Sequence, residues 1–512
     1  MDINPILLEV FKNRFASISE EMGVTLTRTA FSPNIKERRD LSCAIFDRAG
    51  EMIAQAAHIP VHLGSMPLSV KTAIEACDLQ ENDMAILNDP FKGGTHLPDI
   101  TIVAPVFVPE EREAVFYTAN RAHHSDVGGM SSGSMPLSRS LYQEGLIIPP
   151  LKIIKNASLD SDLMQLMLSN VRTPVEREGD FAAQFMANWT GVKRIKEIID
   201  KYGLETVCGY AKGLIAYSEK IMRGVIADIP DGEYEFTDYM DDDGQGTEDI
   251  PIRLRLKIRG EQAQLDFRET ADQVLGSINA VRSITLSAVL YVFRSLVSRD
   301  IPTNNGCLKP IEVLTRPGSL LDANFPAAVA GGNVETSQRI VDVVLGALSK
   351  AIPNRIPAAS QGTMNNVAIG GVDKRNNRTF SYYETLAGGM GASKWGPGEH
   401  AVHSHMTNTL NTPIEALEYS YPFRVLRYCL REGSGGQGKN AGGDGLIREI
   451  ELLADAEVTV LSERRRHAPY GLQGGKPGEP GRNHIFRQGN PEGKKSKFQA
   501  NLQRGDRICI ET

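Results

Sequence analysis

The stretch Gly93-Gly94-Thr95-His96-Leu97-Pro98-Asp99-Ile100-Thr101-Ile102-Val103-Ala104-Pro105-Val106-Phe107 continues, past a charged turn, into Ala114-Val115-Phe116-Tyr117-Thr118-Ala119-Asn120-Arg121-Ala122-His123-His124-Ser125-Asp126-Val127-Gly128-Gly129. β-Branched and aromatic residues dominate 100–107 and 114–119, which predicts two strands. Glycines and ligand-type side chains flank both. His96 and Asp99, three apart, can point at one ion, and a returning strand could bring His123 or His124 to the same place. Asp40 opens a further predicted strand in Glu37-Arg38-Arg39-Asp40-Leu41-Ser42 and is a candidate fourth ligand. Mixed imidazole and carboxylate ligation suits Mn, Zn or Fe better than Ca or Mg. The plainer reading, that each histidine is a satisfied buried or turn residue, stands beside it for any one taken alone.

Outward from this stretch, helical and strand-like patterning alternate, which marks a mixed α and β (α+β) class with several domains. The spacing predicts a helix over 6–30, a hairpin over 40–53 turning at Arg48-Ala49-Gly50, and a strand over 84–87. A helix over 181–201 starts after Asp180 as N-cap and stops before Gly203, and a second runs to about Ile226. Residues 233–270 alternate like strands, with turn chemistry at Asp241-Asp242-Asp243-Gly244. Gly331-Gly332-Asn333 leads into a helix with an apolar face of Ile340, Val341, Val344, Leu345 and Leu348. Strands are expected over 458–461 and 507–510. Three regions follow: a metal-binding α/β part over 1–175, a helical pair with β-hairpins over 176–300, and a Gly-rich α/β part over 301–512.

The 512 residues are 41% hydrophobic and 23% charged, enough to bury several cores, and the formal charge is -7. That balance gives no basic footprint for nucleic acid or an anionic membrane, and both are discounted as partners. Cys43, Cys77, Cys208, Cys307, Cys429 and Cys509 show no short spacing, so neither a zinc knuckle nor a disulfide framework is suggested and a reducing cytoplasm fits. Arg14 interrupts the first apolar pattern, which reads as an amphipathic helix and not a signal peptide.

Five other motifs compete for attention. Gly433-Ser434-Gly435-Gly436-Gln437-Gly438-Lys439-Asn440 nearly fits a phosphate-binding loop, but Asn440 stands where Ser or Thr is needed and no helix is expected to follow. It reads as an ordered loop lining a pocket or an interface. Asp241-Asp242-Asp243-Gly244 would put Tyr239 and Ile250 at calcium-ligand positions, so a solvated hairpin turn is expected. His400, His403 and His405 suggest a polar pocket wall more than a second metal site. Arg464-Arg465-Arg466-His467 reads as a solvated basic edge, with an anion clamp as its functional alternative. The helix start at Thr336 and Ser337 offers either ordinary capping or a seat for an anion.

The His96 and His123 motifs, together with Asn170-Val171-Arg172, Gly179-Asp180, Gly331-Gly332-Asn333-Val334-Glu335-Thr336-Ser337-Gln338, His403-Ser404-His405-Met406-Thr407-Asn408-Thr409, Ser434-Gly435-Gly436-Gln437-Gly438 and Pro469-Tyr470-Gly471-Leu472-Gln473-Gly474-Gly475, resemble the hydantoinase B/oxoprolinase family over essentially the whole chain. The resemblance implies a multi-domain hydantoinase B-like subunit holding one divalent transition metal on Asp40, His96, Asp99 and one of the His123-His124 pair, with His123 preferred for its place three residues before Asp126. It also implies that ATP binds a hydantoinase A-type partner in a hetero-oligomer. That partner would phosphorylate a small cyclic amide of hydantoin, lactam or 5-oxoproline type, and the metal here would activate water to open it. His124 or Asp126 is then the expected proton acceptor. The alternative is a subunit of an ATP-dependent acetone-type carboxylase, whose subunits in this family are generally longer.

Overall fold

The computed structural model describes residues 3–56, 59–109, 111–298 and 300–512. In it the quoted stretch forms the middle of a seven-stranded antiparallel sheet. The strands are β1 (Leu41–Asp47), β2 (Met52–Gln55), β3 (Met84–Leu87), β4 (Asp99–Val106), β5 (Phe116–His123), β6 (Leu151–Lys155) and β7 (Ser158–Leu159), in the order β2-β1-β5-β4-β3-β6-β7. Side chains alternate across this sheet, as a period of two requires. Leu41, Cys43 and Ile45 pack beneath the helices Pro5–Thr29 and Pro174–Tyr202, whereas Ala44 and Phe46 pack on the helix Met66–Cys77. With both faces covered, every residue of β4 and β5 is buried.

β5 runs on to His123, beyond the predicted end at 119, because its polar residues find partners inside. Asn120 donates to the Gln184 carbonyl at 2.7 Å, and Arg121 donates to Thr101 at 2.8 Å and Ser69 at 2.7 Å. The helix expected over 181–201 starts earlier, at Pro174, with Thr173 at its cap. Asp180 is therefore not a cap. From inside the helix it accepts the backbone N–H groups of Phe31 (2.9 Å) and Ser32 (3.0 Å) and pairs with Arg177 at 2.8 Å, fixing where the N-terminal helix ends.

A second sheet, of order β11-β10-β9-β8, holds β8 (Gly232–Asp242), β9 (Glu248–Arg259), β10 (Gln262–Asp266) and β11 (Ile311–Leu314), with β10 and β11 parallel. The helix Ser337–Ala351 crosses it and is buried on every side from Ser337 to Leu348, not on one apolar face alone. Its polar side is satisfied by ion pairs, Arg339 with Glu463 at 3.3 Å and Asp342 with Arg464. The hairpin after β8 is solvated only over 246–248: Asp241 and Asp243 are buried, and Asp241 accepts the N–H groups of Arg465, Arg466 and His467.

The C-terminal region carries β12 (Asn366–Asp373), β13 (Arg378–Glu384), β14 (Phe423–Arg431), β15 (Gly445–Leu452), β16 (Ala456–Leu461), β17 (Arg482–Arg487), β18 (Asn490–Lys494), β19 (Lys497–Leu502) and β20 (Arg507–Glu511). Two antiparallel sheets, β13-β12-β16-β19 and β14-β15-β20-β17-β18, share one apolar core that includes Ile369, Tyr382, Phe423, Ile450 and Ile508. Among the described residues, no helix is long and apolar enough to cross a membrane.

Two glycines test this packing in opposite directions. A Cβ on Gly332 would lie 1.8 Å from the Asn279 carbonyl oxygen, whereas one on Gly224, inside the helix Leu204–Ala227, meets nothing within 4 Å. Gly224→Ala should raise the thermal unfolding midpoint, by a gain of about 0.5–1 kcal/mol. Gly332→Ala should lower it by the equivalent of at least ~2 kcal/mol. Calorimetry on both variants checks the two signs.

Candidate metal centre

Three strand ends meet at one edge of the large sheet. Asp99 opens β4 and His123 closes β5, and the register sets them opposite each other. Asp40 stands one residue before β1, and its carbonyl accepts the His123 N–H at 3.0 Å. The loop before β4 folds back because Gly93 takes φ 89° and lies so close to Leu68 that a Cβ would be 2.7 Å from its carbonyl. That bend carries His96 over the strand end, where its carbonyl accepts the Asp99 N–H at 3.1 Å.

The side chains converge accordingly. His96 Nε2 lies 3.2 Å from Asp99 Oδ1 and 3.2 Å from His123 Nδ1, and His123 Nδ1 lies 3.3 Å from Asp99 Oδ1. All three residues are buried. Behind them, Thr95 donates to Asp99 Oδ2 at 2.6 Å, Asn333 donates to the same oxygen at 3.3 Å, and His62 Nε2 faces it at 3.3 Å. Oδ2 is thus engaged, while Oδ1 is buried with no hydrogen-bond partner, as are the Nε2 atoms of His62 and His123. His96 Nδ1 donates to the Ala330 carbonyl at 3.3 Å, which leaves Nε2 unprotonated, facing Asp99 and His123 and accepting the Asn333 amide N–H at 2.9 Å. The His123 ring stacks on Tyr383 at 4.6 Å.

A tetrahedral ion with bonds of about 2.0–2.1 Å holds its donors roughly 3.3 Å apart, so the spacing of these three atoms fits a transition metal. An orphaned buried carboxylate oxygen facing two imidazole nitrogens fits it as well, because such an atom otherwise carries a desolvation penalty with nothing to offset it. Burial opposes the charge of Asp99, but His96 and His62, with His123, outweigh it and hold the carboxyl well below the usual range. Burial pushes the His123 imidazole down, toward the neutral form that binds metals. Further out, Glu144 accepts the N–H groups of Val329 (2.8 Å) and Ala330 (3.0 Å), steadying the carbonyl that holds His96. Burial raises its carboxyl to about 7 against those bonds.

Of the residues singled out by sequence, His96, Asp99 and His123 form the one group of metal-type donors within 4.8 Å of one another among the described residues. Asp40 stays outside that group, yet lines the same small cavity, of about 20 Å3, with Asp99, His62 and His123. His124 and Asp126 do not border it. The neighbour of a strand residue points to the opposite face, so His124 bonds Gln184 at 2.9 Å beside Phe181, and burial with Arg177 nearby lowers it to about 4. Asp126 pairs with Arg172 at 3.0 Å. Neither is placed to take a proton from a group at the cluster.

Other sequence expectations resolve at the same time. Met406, Thr407 and Thr409 line the small cavity, whereas His403 bonds Asn411 (3.2 Å) and His405 bonds Tyr291 (3.3 Å) beside it without bordering it. The Thr336 hydroxyl donates to the Ile278 carbonyl and that of Ser337 to the Asn333 carbonyl, so neither caps a helix start, and the helical turn Gly332–Thr336 runs directly into Ser337. His62 and Asn333 were not expected as site residues. The only sequence signal for His62 was a histidine between Pro60 and Gly64, and Asn333 reaches the site through a π-helical turn, Gly332–Thr336, that no periodicity announces.

Comparison with known proteins adds four findings. Residues 4–512 match the family model described as hydantoinase B/oxoprolinase. An uncharacterized protein of Methanocaldococcus jannaschii is 40% identical over 516 residues, covering 100% of this chain and 90% of that protein. The 5-oxoprolinase of Dictyostelium discoideum is 40% identical over 522 residues, covering 100% of this chain but 40% of the relative. Among solved structures, the ATP-dependent caprolactamase from Pseudomonas jessenii superposes with a TM-score of 0.90 at 29% identity, covering 100% of this chain and 90% of that one. The chain therefore spans most of the archaeal protein and of the caprolactamase chain, and about two fifths of the 5-oxoprolinase. It belongs to the hydantoinase B/oxoprolinase family.

Proposed function

We propose that this chain is the metal-binding, hydrolytic component of an ATP-dependent cyclic amide hydrolase. It opens a hydantoin, lactam or 5-oxoproline-type ring after an A-type, ATP-binding partner has phosphorylated it. The observation that carries this reading is the buried trio His96 Nε2, Asp99 Oδ1 and His123 Nδ1 at mutual distances of 3.2–3.3 Å. Membership of a family that includes 5-oxoprolinases, and likeness to an ATP-dependent caprolactamase, support the substrate class.

His96, Asp99 and His123 would hold the ion, and Asp40, on the cavity wall, would complete the set. Bound there, a divalent Mn, Zn or Fe ion supplies Lewis acidity, which polarises a carbonyl or lowers the pKa of water. The protein does the positioning. Thr95 and Asn333 donate to Asp99 Oδ2 and His62 stands 3.3 Å from it, so Oδ1 is the oxygen left facing His96 and His123. Ser42, 2.9 Å from His62 Nδ1, fixes that ring, and Tyr383 fixes the ring of His123. The threonines and methionines around the cavity shut out bulk water, which strengthens electrostatic interactions within it.

ATP chemistry is assigned to the partner because the near-fit to a phosphate loop, Gly433 to Asn440, runs between the strands β14 and β15 and opens no helix. An amide resists attack by water, and phosphorylation of its oxygen provides a leaving group. The division of labour follows from that need.

Three outcomes are expected. Elemental analysis of protein purified without chelator should find about one transition-metal ion per chain, falling below about a tenth in His96→Ala and Asp99→Ala. His62→Ala, which removes only the residue behind Asp99, should weaken metal affinity about 10–100-fold without abolishing it. The isolated chain should show neither ATPase nor ring-opening activity, and mixing it with an A-type partner should produce ATP-dependent ring opening that Asp99→Ala abolishes while pull-down of the partner persists. Turnover of ATP by the isolated chain, unaffected by Asp99→Ala, would contradict the assignment.

A further inference from the structure

A second cavity, of about 400 Å3, lies in the C-terminal region. The segment 360–366 divides it from the metal centre: Met364 borders the small cavity there, whereas Gln361 and Thr363 border the large one. Two consecutive arginines stand in its wall with opposite electrostatic fates. Arg464, 2% exposed, pairs with Asp238 at 2.7 Å and with Asp342. Arg465 makes no ion pair among the described residues. Its Nη1 donates to Asn365 Oδ1 (2.6 Å) and the Glu463 carbonyl (2.7 Å), its Nη2 donates to Asn483 Oδ1 (2.8 Å), and its buried Nε has no hydrogen-bond partner. All three acceptors are neutral. Burial accordingly lowers the Arg465 guanidinium to about 10, and the carboxylates of Glu335, Asp241 and Glu463, farther out, offset this only in part.

Arg465 is partly buried, its Nε fully so, and a guanidinium nitrogen withdrawn from water without a counter-ion is costly, a cost that a bound anion would offset. The rest of the wall agrees. Lys394, Lys439 and Lys476 stand at the exposed side of the cavity, and Glu479 is its one acidic residue. The Gly-rich loop is held in shape by its own bonds: the Gly435 N–H donates to Asp444 (2.9 Å), the Gly442 N–H to the Gly436 carbonyl (2.8 Å), and the Lys476 N–H to the Gln437 carbonyl (2.8 Å). A rigid wall of this kind loses little entropy when a ligand enters.

We propose that this cavity is a binding site for a small oxyanion, a phosphate or a carboxylate group of a metabolite, with Arg465 as its anchor and Lys439 and Lys476 at its mouth. The site is separate from the metal centre and goes beyond the hydrolytic reading. Planar guanidinium groups match both kinds of oxyanion, so the two sources are separated by experiment.

The test is isothermal titration calorimetry of the full chain at low ionic strength, with inorganic phosphate in one series and L-glutamate in another. Binding of at least one, with Kd below about 1 mM, is expected, and the one that binds names the source. The Lys439→Ala/Lys476→Ala pair, altered only at exposed positions, should weaken binding about tenfold, and Arg465→Gln should abolish it. Asp99→Ala should leave it unchanged, which keeps this result distinct from any failure at the metal centre. No binding of either anion below about 10 mM, affinity unchanged in both the double variant and Arg465→Gln, or loss of binding in Asp99→Ala would each overturn the proposal.

Discussion

Three basic atoms buried within 3.3 Å of one another, a carboxylate oxygen and two imidazole nitrogens, repel unless a proton or a metal ion stands among them. Much of the N-terminal architecture serves to hold them there. β4 and β5 deliver Asp99 and His123 in register, a glycine bend returns His96, and the turn Gly332–Thr336, leading into the helix Ser337–Ala351, brings Asn333 from the other side. A sheet covered on both faces keeps those strand ends rigid. An ion bound there would also contribute to folding, since the unfolded chain has no preformed cluster to bind it.

The same logic recurs away from the metal centre, with different outcomes. Arg464, Arg339 and Lys497 sit in the interior beside Asp238, Asp342 and Glu463, and each has a carboxylate partner. Removing one member would strand the other, so these pairs fix how β8, the helix Ser337–Ala351 and the C-terminal sheets meet. Arg465, in the same neighbourhood but without a partner, is the exception that draws attention to its cavity.

The sequence was informative where one physical rule acted alone. The strands around Ile100 and Phe116, the hairpin at Arg48-Ala49-Gly50 and the stop at Gly203 follow from patterning and turn chemistry, and the structure places them closely. It misled where tertiary partners replaced local ones. Asp180 has the residue type of a cap but spends its carboxylate on the backbone of Phe31 and Ser32, and Arg464 and Arg465 look like a basic edge, yet Arg464 is buried and Arg465 partly so. Strands such as β12–β15 escaped notice because short segments between Gly-rich loops carry little periodicity. At the site, ligand-type residues were visible, but the choice between His123 and His124 needed the register of β5. His62 and Asn333 needed the folded chain, because their distance in sequence from Asp99 says nothing about their distance in space.

The central claim is a claim about position: an ion among His96, Asp99 and His123. Anomalous diffraction, recorded at the absorption edges of Mn, Fe and Zn from crystals grown without chelator, tests it most directly. The account predicts a single peak about 2.0–2.2 Å from His96 Nε2, Asp99 Oδ1 and a ring nitrogen of His123. No peak there in metal-replete crystals, or an ion held by other residues, would contradict it.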